Sequence, residues 1–274
     1  MTADDSLEQA REIAVGVARE AGRILLEGWG TRPAIGFKSE DIDIVTEFDK
    51  RSEALIVERL AAAFPDDRIV AEEGTTHGEA GRARRVWYVD PLDGTTNFAH
   101  GMPLFSVSLG MAIDRRAVLG VVEAPALGWS FAGTTSGGST FNGKPIAPSQ
   151  TDQLVRALLV TGFPYIRNPV QNNLAEFAAL TAAAQGTRRL GSAALDLCFV
   201  ACGWLDGYWE RALHAWDLVG GAAIVMGAGG RATDLDGQPF DGTTGRVLAT
   251  NGLIHDEISR VLEGVARREN APWP

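Results

Sequence analysis

Apolar residues recur at helical spacing near the start of the chain, at Ile13, Val17, Ala21, Ile24 and Leu25, which predicts a helix with one buried face. Ser6 with Gln9 reads as a capping box for it, and Gly28–Gly30 as its end. Lys38 to Asp49 is a polar connection holding a strand-like piece, Ile42–Val45. A second helix is expected over Arg51–Ala63, stopping at Pro65. Two short apolar runs follow, Arg68–Ala71 leading into Glu72-Glu73-Gly74 and Val86–Val89 leading into Asp90. Both read as strands whose C-terminal ends deliver acids. Phe105–Ile113 and Ala117–Glu123 read as a hairpin across Asp114-Arg115-Arg116, and Trp129–Ala132 as a further strand. The Gly-, Ser- and Thr-rich stretch Thr134–Asn142 reads as a loop.

The second half alternates more evenly. Strands are expected at Leu158–Thr161, Gly207–Trp209, Arg231–Asp234 and Val247–Ala249, and helices at Asn173–Ala184, Ala193–Cys202, Asp217–Met226 and Ile254–Ala266. Alternating elements point to a layered α/β (α+β) architecture. A soft boundary near residues 135–150 divides a part over 1–140 from a part over 141–274.

Composition narrows the function. Of 274 residues, 45% are hydrophobic and 22% charged, an ordinary balance for a globular protein with a sizeable core. The net charge is −10 and the pI about 4.9, so nothing draws the chain to nucleic acid or an anionic membrane. A phosphorylated substrate would also be repelled, so a phosphate site needs metal ions or a local positive pocket. Cys198 and Cys202 lie in an apolar run and read as reduced core thiols, in keeping with a cytoplasmic location. The start, Met-Thr-Ala-Asp-Asp, does not resemble a signal peptide, and the apolar run Leu218–Ala228 is too short to span a membrane.

The chemistry concentrates in Asp90-Pro91-Leu92-Asp93-Gly94-Thr95. Pro fixes φ and Gly permits unusual angles, so a strand ending this way turns sharply. Asp90 and Asp93 can then face one point, with the Leu92 carbonyl between them. Such hard oxygen ligands suit Mg²⁺ or Mn²⁺. Taken alone the turn could simply cap a helix starting near Thr95. Glu72 at another strand end, Asp217 at a helix start and Asp43 in the polar connection make a metal cluster the better reading. Amides of Gly94, Thr95 and Thr96 at a helix start would suit a phosphate, and the Thr95 hydroxyl could orient a water.

Trp87 to Phe98 resembles the signature of the inositol monophosphatase family. Ala71-Glu72-Glu73-Gly74 is similar to its upstream acidic motif, Asp43 to Asp49 to its N-terminal motif, and Trp216 to Gly221 with Gly227–Gly230 to its downstream motif. The resemblance implies an alternating αβαβα layered sandwich, Mg²⁺ dependence with two or three ions, Mn²⁺ as a substitute, inhibition by Li⁺, and a homodimer. It implies Glu72, Asp90, the Leu92 carbonyl, Asp93 and Asp217 as metal ligands, with Asp43 near a further, weaker metal. Thr95 with Glu72 would activate the water. Gly191, Ser192 and Ala193 would contact substrate, and Glu210 would bind sugar hydroxyls. Gly74 departs from the family, where Ser or Thr is common.

The expected reaction is hydrolysis of a small phosphomonoester, foremost inositol 1-phosphate. Histidinol phosphate, fructose 1,6-bisphosphate and 3′-phosphoadenosine nucleotides are the alternatives within the fold. A haloacid-dehalogenase-type site would want Asp-x-Asp after a first strand, whereas Asp90 and Asp93 are spaced Asp-x-x-Asp after two helices. The run from Arg188 to Leu197 is similar to bacterial members that also act in RNA transcription complexes, so such a contact is an expected secondary role.

Overall fold

The computed structural model describes residues 3–31, 36–37, 44–79, 83–164 and 172–269. The first half comprises α1 (Ala3–Gly28), β1 (Gly36–Phe37), β2 (Ile44–Val45), α2 (Glu47–Ala63), β3 (Arg68–Ala71), β4 (Thr76–His77), β5 (Arg85–Asp93), α3 (Thr95–Ala99), β6 (Ser106–Ile113), β7 (Arg116–Ala124), β8 (Trp129–Thr134), β9 (Gly138–Phe141) and β10 (Lys144–Pro145). The second comprises β11 (Leu158–Thr161), α4 (Leu174–Ala183), β12 (Gly186–Arg188), α5 (Ala193–Ala201), β13 (Gly207–Arg211), α6 (Ala215–Gly227), β14 (Arg231–Thr233), β15 (Arg246–Thr250) and α7 (His255–Glu269).

Strands β3 to β10 form an eight-stranded sheet in the order β10-β9-β8-β7-β6-β5-β3-β4, and β11 to β15 a five-stranded sheet in the order β12-β11-β13-β15-β14. Three apolar clusters define the layers. Ala14, Ala21 and Leu25 of α1 and Ile56 and Leu60 of α2 pack on Ile69, Trp87, Leu109 and Val121. Leu197 and Val200 of α5 and Leu218 and Ala222 of α6 fill the space between the sheets. Leu180 of α4 and Ile258 and Leu262 of α7 cover Leu159, Trp209 and Leu248 on the far face. The result is the expected αβαβα sandwich. The central layer approaches the first sheet closely at its glycines. A side chain at Gly120 would collide with the carbonyl of Gly220, so glycine on both sides lets α6 lie against β6 and β7.

Four expectations about elements need correction. Ser6 is inside α1, which already begins at Ala3. α2 starts at Glu47 because Thr46 caps it, with Asp49 in the place a capping box usually gives to Glu or Gln. The expected loop Thr134–Asn142 contains β9, whose Ser139 hydroxyl donates to the Ile224 carbonyl at 2.7 Å and ties the strand to α6. α6 begins at Ala215, with His214 as its cap, so Asp217 is its third residue and not its first.

Candidate active site

The strand that carries the signature is bulged. Asp90 pairs with Ser108 of β6 and Asp93 with Ser106, so three steps on β5 match two on its partner. Residues three apart on a regular strand face opposite sides of the sheet. The extra residue resets the alternation and turns both aspartates to one side. The Leu92 amide donates to Asp90 Oδ1 at 3.0 Å, and the Ser52 hydroxyl of α2 donates to the Pro91 carbonyl at 2.9 Å. Gly94 then takes φ +86°, and a side chain there would press on the carbonyls of Leu104 and Gly191. Only glycine meets both demands.

The Thr95 hydroxyl donates to the Leu92 carbonyl at 3.0 Å. The third member of that group was not foreseen. Asp49 Oδ1 lies 3.4 Å from the Thr95 hydroxyl, while its Oδ2 accepts from the Thr46 amide at 2.9 Å and hydroxyl at 2.5 Å. Burial pushes Asp49 up to about 6, against the pull of the Thr46 bonds, and Glu73 and Glu72 add to the rise. The signal was present as Thr46-x-x-Asp49, a capping pattern with an unusual third residue. The turn bearing Glu72 is pinned from the same helix. Glu53 accepts from the amides of Glu73 at 2.7 Å and Thr75 at 3.1 Å.

Asp90 is held well above the usual carboxylate range by burial first, then by repulsion from Glu72, Asp93 and Asp217. Asp217 is raised in the same way, by burial, then Glu72, with the His214 amide pulling it down from 2.6 Å. Asp93 differs, because the start of α5 is aimed at it. The Ser192 hydroxyl and the amides of Ala193, at 3.2 Å, and Ala194, at 2.9 Å, all donate to its carboxylate. Burial still lifts Asp93, but these donors limit the rise to about 6.

The structure therefore groups Glu72, Asp90, Asp93 and Asp217 electrostatically. Among the described residues, no three acid, His or Cys side chains converge tightly enough to enclose a metal ion. Asp93 and Asp217 are turned toward backbone amides instead. The donor set nevertheless fits a hard divalent cation. It consists of oxygens alone, the acids repel one another, and a cation is what would relieve that repulsion. Asp43 lies outside the described residues.

Glu210 comes near Asp93 from the second sheet. It is 6% exposed on β13, and Tyr208 donates to its Oε2 at 2.7 Å. Burial pushes it up to about 7, with Tyr208, Arg189 and the Gly162 amide opposing and Asp93 reinforcing the rise. The Gly191–Ala193 loop is tied to the turn by Asn97, whose Nδ2 donates to the carbonyls of Leu104 at 2.7 Å and Leu190 at 2.8 Å. Thr96 is exposed beside that turn. Asp196 was also missed. It is 1% exposed on α5, and repulsion from Glu210 and Asp93 adds to a rise caused first by its burial. As the fourth residue of an apolar helix it resembles an ordinary first-turn acid in sequence.

The family model described as "Inositol monophosphatase family" matches residues 6–267. An inositol-1-monophosphatase from Synechocystis sp. is 46% identical over 92% of this chain and 88% of its own. The solved inositol monophosphatase from Anabaena (Nostoc) sp. is similar with a TM-score of 0.86 and 43% identity, covering 94% of this chain and 97% of that one. The extragenic suppressor protein suhB from Bartonella henselae gives the same TM-score of 0.86 at 32% identity, covering 93% and 98%. With the matched motifs, the layered fold and relatives at this identity over nearly the whole length, the chain belongs to the inositol monophosphatase family.

Proposed function

We propose that this chain hydrolyses a small phosphomonoester, foremost inositol 1-phosphate to inositol and phosphate, with Mg²⁺. The observation that carries the reading is the grouping of mutually repelling acids, Asp90 and Asp217 raised by Glu72 and by each other's neighbourhood, beside a threonine held by Leu92 and Asp49. Glu72, Asp90, the Leu92 carbonyl, Asp93 and Asp217 would hold two or three ions, and Asp43 would stand near a further one. Bound there, the metal supplies positive charge for the phosphate oxygens and lowers the pKa of a coordinated water.

The chain's own residues do the rest. The Thr95 oxygen orients the attacking water, and Asp49 and Glu72 lie on the side that receives its proton. The water attacks phosphorus in line, the bond from phosphorus to the ester oxygen breaks, and that oxygen, leaving beside Asp217, takes a proton from solvent to give the alcohol. Amides at Gly94, Thr95 and Thr96 and the Gly191-Ser192-Ala193 loop surround the phosphate, and Glu210 accepts from polyol hydroxyls. The part over 1–140 thus supplies most metal ligands, and the part over 141–274 supplies Asp217 and the substrate wall.

Phosphate release should be measured on inositol 1-phosphate, histidinol phosphate, fructose 1,6-bisphosphate and 3′-phosphoadenosine 5′-phosphate in Mg²⁺, with EDTA and Li⁺ controls. The reading expects inositol 1-phosphate to lead, EDTA and Li⁺ to inhibit, and Mn²⁺ to substitute in part. Near-wild-type turnover by Asp93→Asn in excess Mg²⁺ overturns it. A homodimer in light scattering and a cytoplasmic location belong to the same reading. No helix among the described residues is long and apolar enough to cross a membrane. Arg188 and Arg189 are both exposed, which leaves them open to a transcription-complex contact testable by pull-down at two salt concentrations.

A further inference from the structure

We infer that Tyr208 is a positioning residue, fixing the Glu210 carboxylate over Gly162 so that its remaining lone pairs meet polyol hydroxyls, and that it thereby sets a preference for hydroxyl-rich over hydroxyl-free phosphomonoesters. This rests on the reading of the site given above.

Alternation along β13 places Tyr208 and Glu210 on one face and Trp209 on the other. Tyr208 is 0% exposed, with its ring in the apolar layer between the sheets. It cannot touch a substrate. Its hydroxyl needs a partner in that layer, and it donates to Glu210 Oε2 at 2.7 Å. The Gly162 amide is a second donor to the same carboxylate. A carboxylate offers about four acceptor sites, so two donors from the fold leave the others for a ligand.

Gly162 is as specific as the tyrosine. A side chain there would collide with both oxygens of Glu210, so the absence of one is what seats the carboxylate. The backbone under it is held in turn. Asn173 Nδ2 donates to the Gly162 carbonyl at 2.8 Å and lies 2.7 Å from the Thr161 hydroxyl, while Asn173 Oδ1 accepts from Trp209 Nε1 at 2.9 Å. Asn173 is itself 1% exposed. The charged groups facing Glu210 from elsewhere are Asp93, Asp196 and Asp217, which repel it, and Arg189, which attracts it. Without its two donors, a carboxylate pushed by three neighbouring acids would swing toward Arg189.

The test compares KM and kcat for inositol 1-phosphate and for p-nitrophenyl phosphate, which has no hydroxyl groups. Tyr208→Phe keeps the ring and removes the donor. Its KM for inositol 1-phosphate is expected to rise roughly tenfold, the scale of one lost hydrogen bond to a charged group, while that for p-nitrophenyl phosphate moves by no more than about twofold. In a Glu210→Gln background the same substitution should add nothing to KM, because the group it positions is already altered. Gly162→Ala, which displaces the carboxylate by contact, should shift the substrate ratio in the same direction. Equal changes for both substrates, or an additive effect in the Glu210→Gln background, overturn the inference and leave Tyr208 a packing residue. Wild-type release from neither substrate overturns the reading of the site and the inference with it.

Discussion

At the N-terminal end of β5, Asp67 is surrounded by donors. Arg85 Nη2 lies 2.7 Å and Trp87 Nε1 2.9 Å from its Oδ2. At the C-terminal end of the same strand, Asp90 receives one backbone amide and faces Glu72, Asp93 and Asp217. Both aspartates are buried, at 5% and 2% exposure. A buried carboxylate with a cation beside it is part of the scaffold, because its desolvation is offset on the spot. A buried group of carboxylates with no cation among them costs the fold stability, and folds keep such groups where a ligand repays that cost. The difference separates two residues of identical type and similar burial, and it assigns them different work.

The largest effect should come from the crowded end. Asp90→Asn is expected to lower turnover on the order of a thousandfold or more in excess Mg²⁺. It should not lower metal-free stability, since it removes repulsion. Mg²⁺ should raise the melting temperature of wild type by mass action and raise that of Asp90→Asn far less. A variant that turns over normally, or that is markedly unstable without metal, breaks the comparison at that end.

Asp67→Asn is the converse. It removes the charge that pairs with Arg85 and leaves a single neutral acceptor for Arg85 and the Trp87 indole, and should cost about 2–3 kcal/mol in urea denaturation with kcat per folded molecule unchanged. A normal stability with lost activity would show that the two ends had been assigned the wrong way round.

A smaller effect follows from pH. Glu210 rises from 4.5 to about 7 through burial above all. Between those values the folded chain holds a proton that the unfolded chain has released. Metal-free stability therefore falls as pH rises through that window. The urea midpoint of wild type should drop from pH 5 to pH 8 more than that of Glu210→Gln. Equal drops would mean that Glu210 is not strained by its surroundings. His255 titrates with the opposite sign. Buried between the hydroxyls of Thr233 and Thr250, each 3.0 Å from a ring nitrogen, it is pushed down to about 4, chiefly by burial. Its contribution is present above 6.5 and lost as pH falls toward 4, so His255→Gln should flatten only the acid limb.

The smallest effect is at the thiols. Burial raises Cys198 well above its usual range and Cys202 up to about 12. Neither should react with iodoacetamide in the folded protein at pH 8. Rapid alkylation would show that the layer between the sheets opens readily.

Much of this was legible in the order of residues. The heptad-like spacing from Ile13 to Leu25 marked α1, and the apolar runs before Glu72 and Asp90 marked β3 and β5, because periodicity is a local property of side chains along a backbone. β9 was not legible. Its Gly, Ser and Thr residues are loop-like by composition, and it is the pairing with β8 and the contact of Ser139 with Ile224, 85 positions away, that favour the strand. Asp49 stands in a local capping pattern behind Thr46, but nothing local marks it as the neighbour of Thr95, since the two are 46 positions apart.

By itself the sequence determined most of the longer helices and strands, their order, and that Asp90 and Asp93 stand at the end of β5. It did so because hydrophobic period, turn residues and the spacing of acids act over a few residues at a time. Tertiary structure alone decided which acids are crowded and which are satisfied. The bulge between Asp90 and Asp93, the start of α5 aimed at Asp93, and the Tyr208 hydroxyl and Gly162 amide under Glu210 each depend on elements far apart in the chain. Burial and the distance between charges set the energy of a carboxylate, and both are properties of the packed molecule.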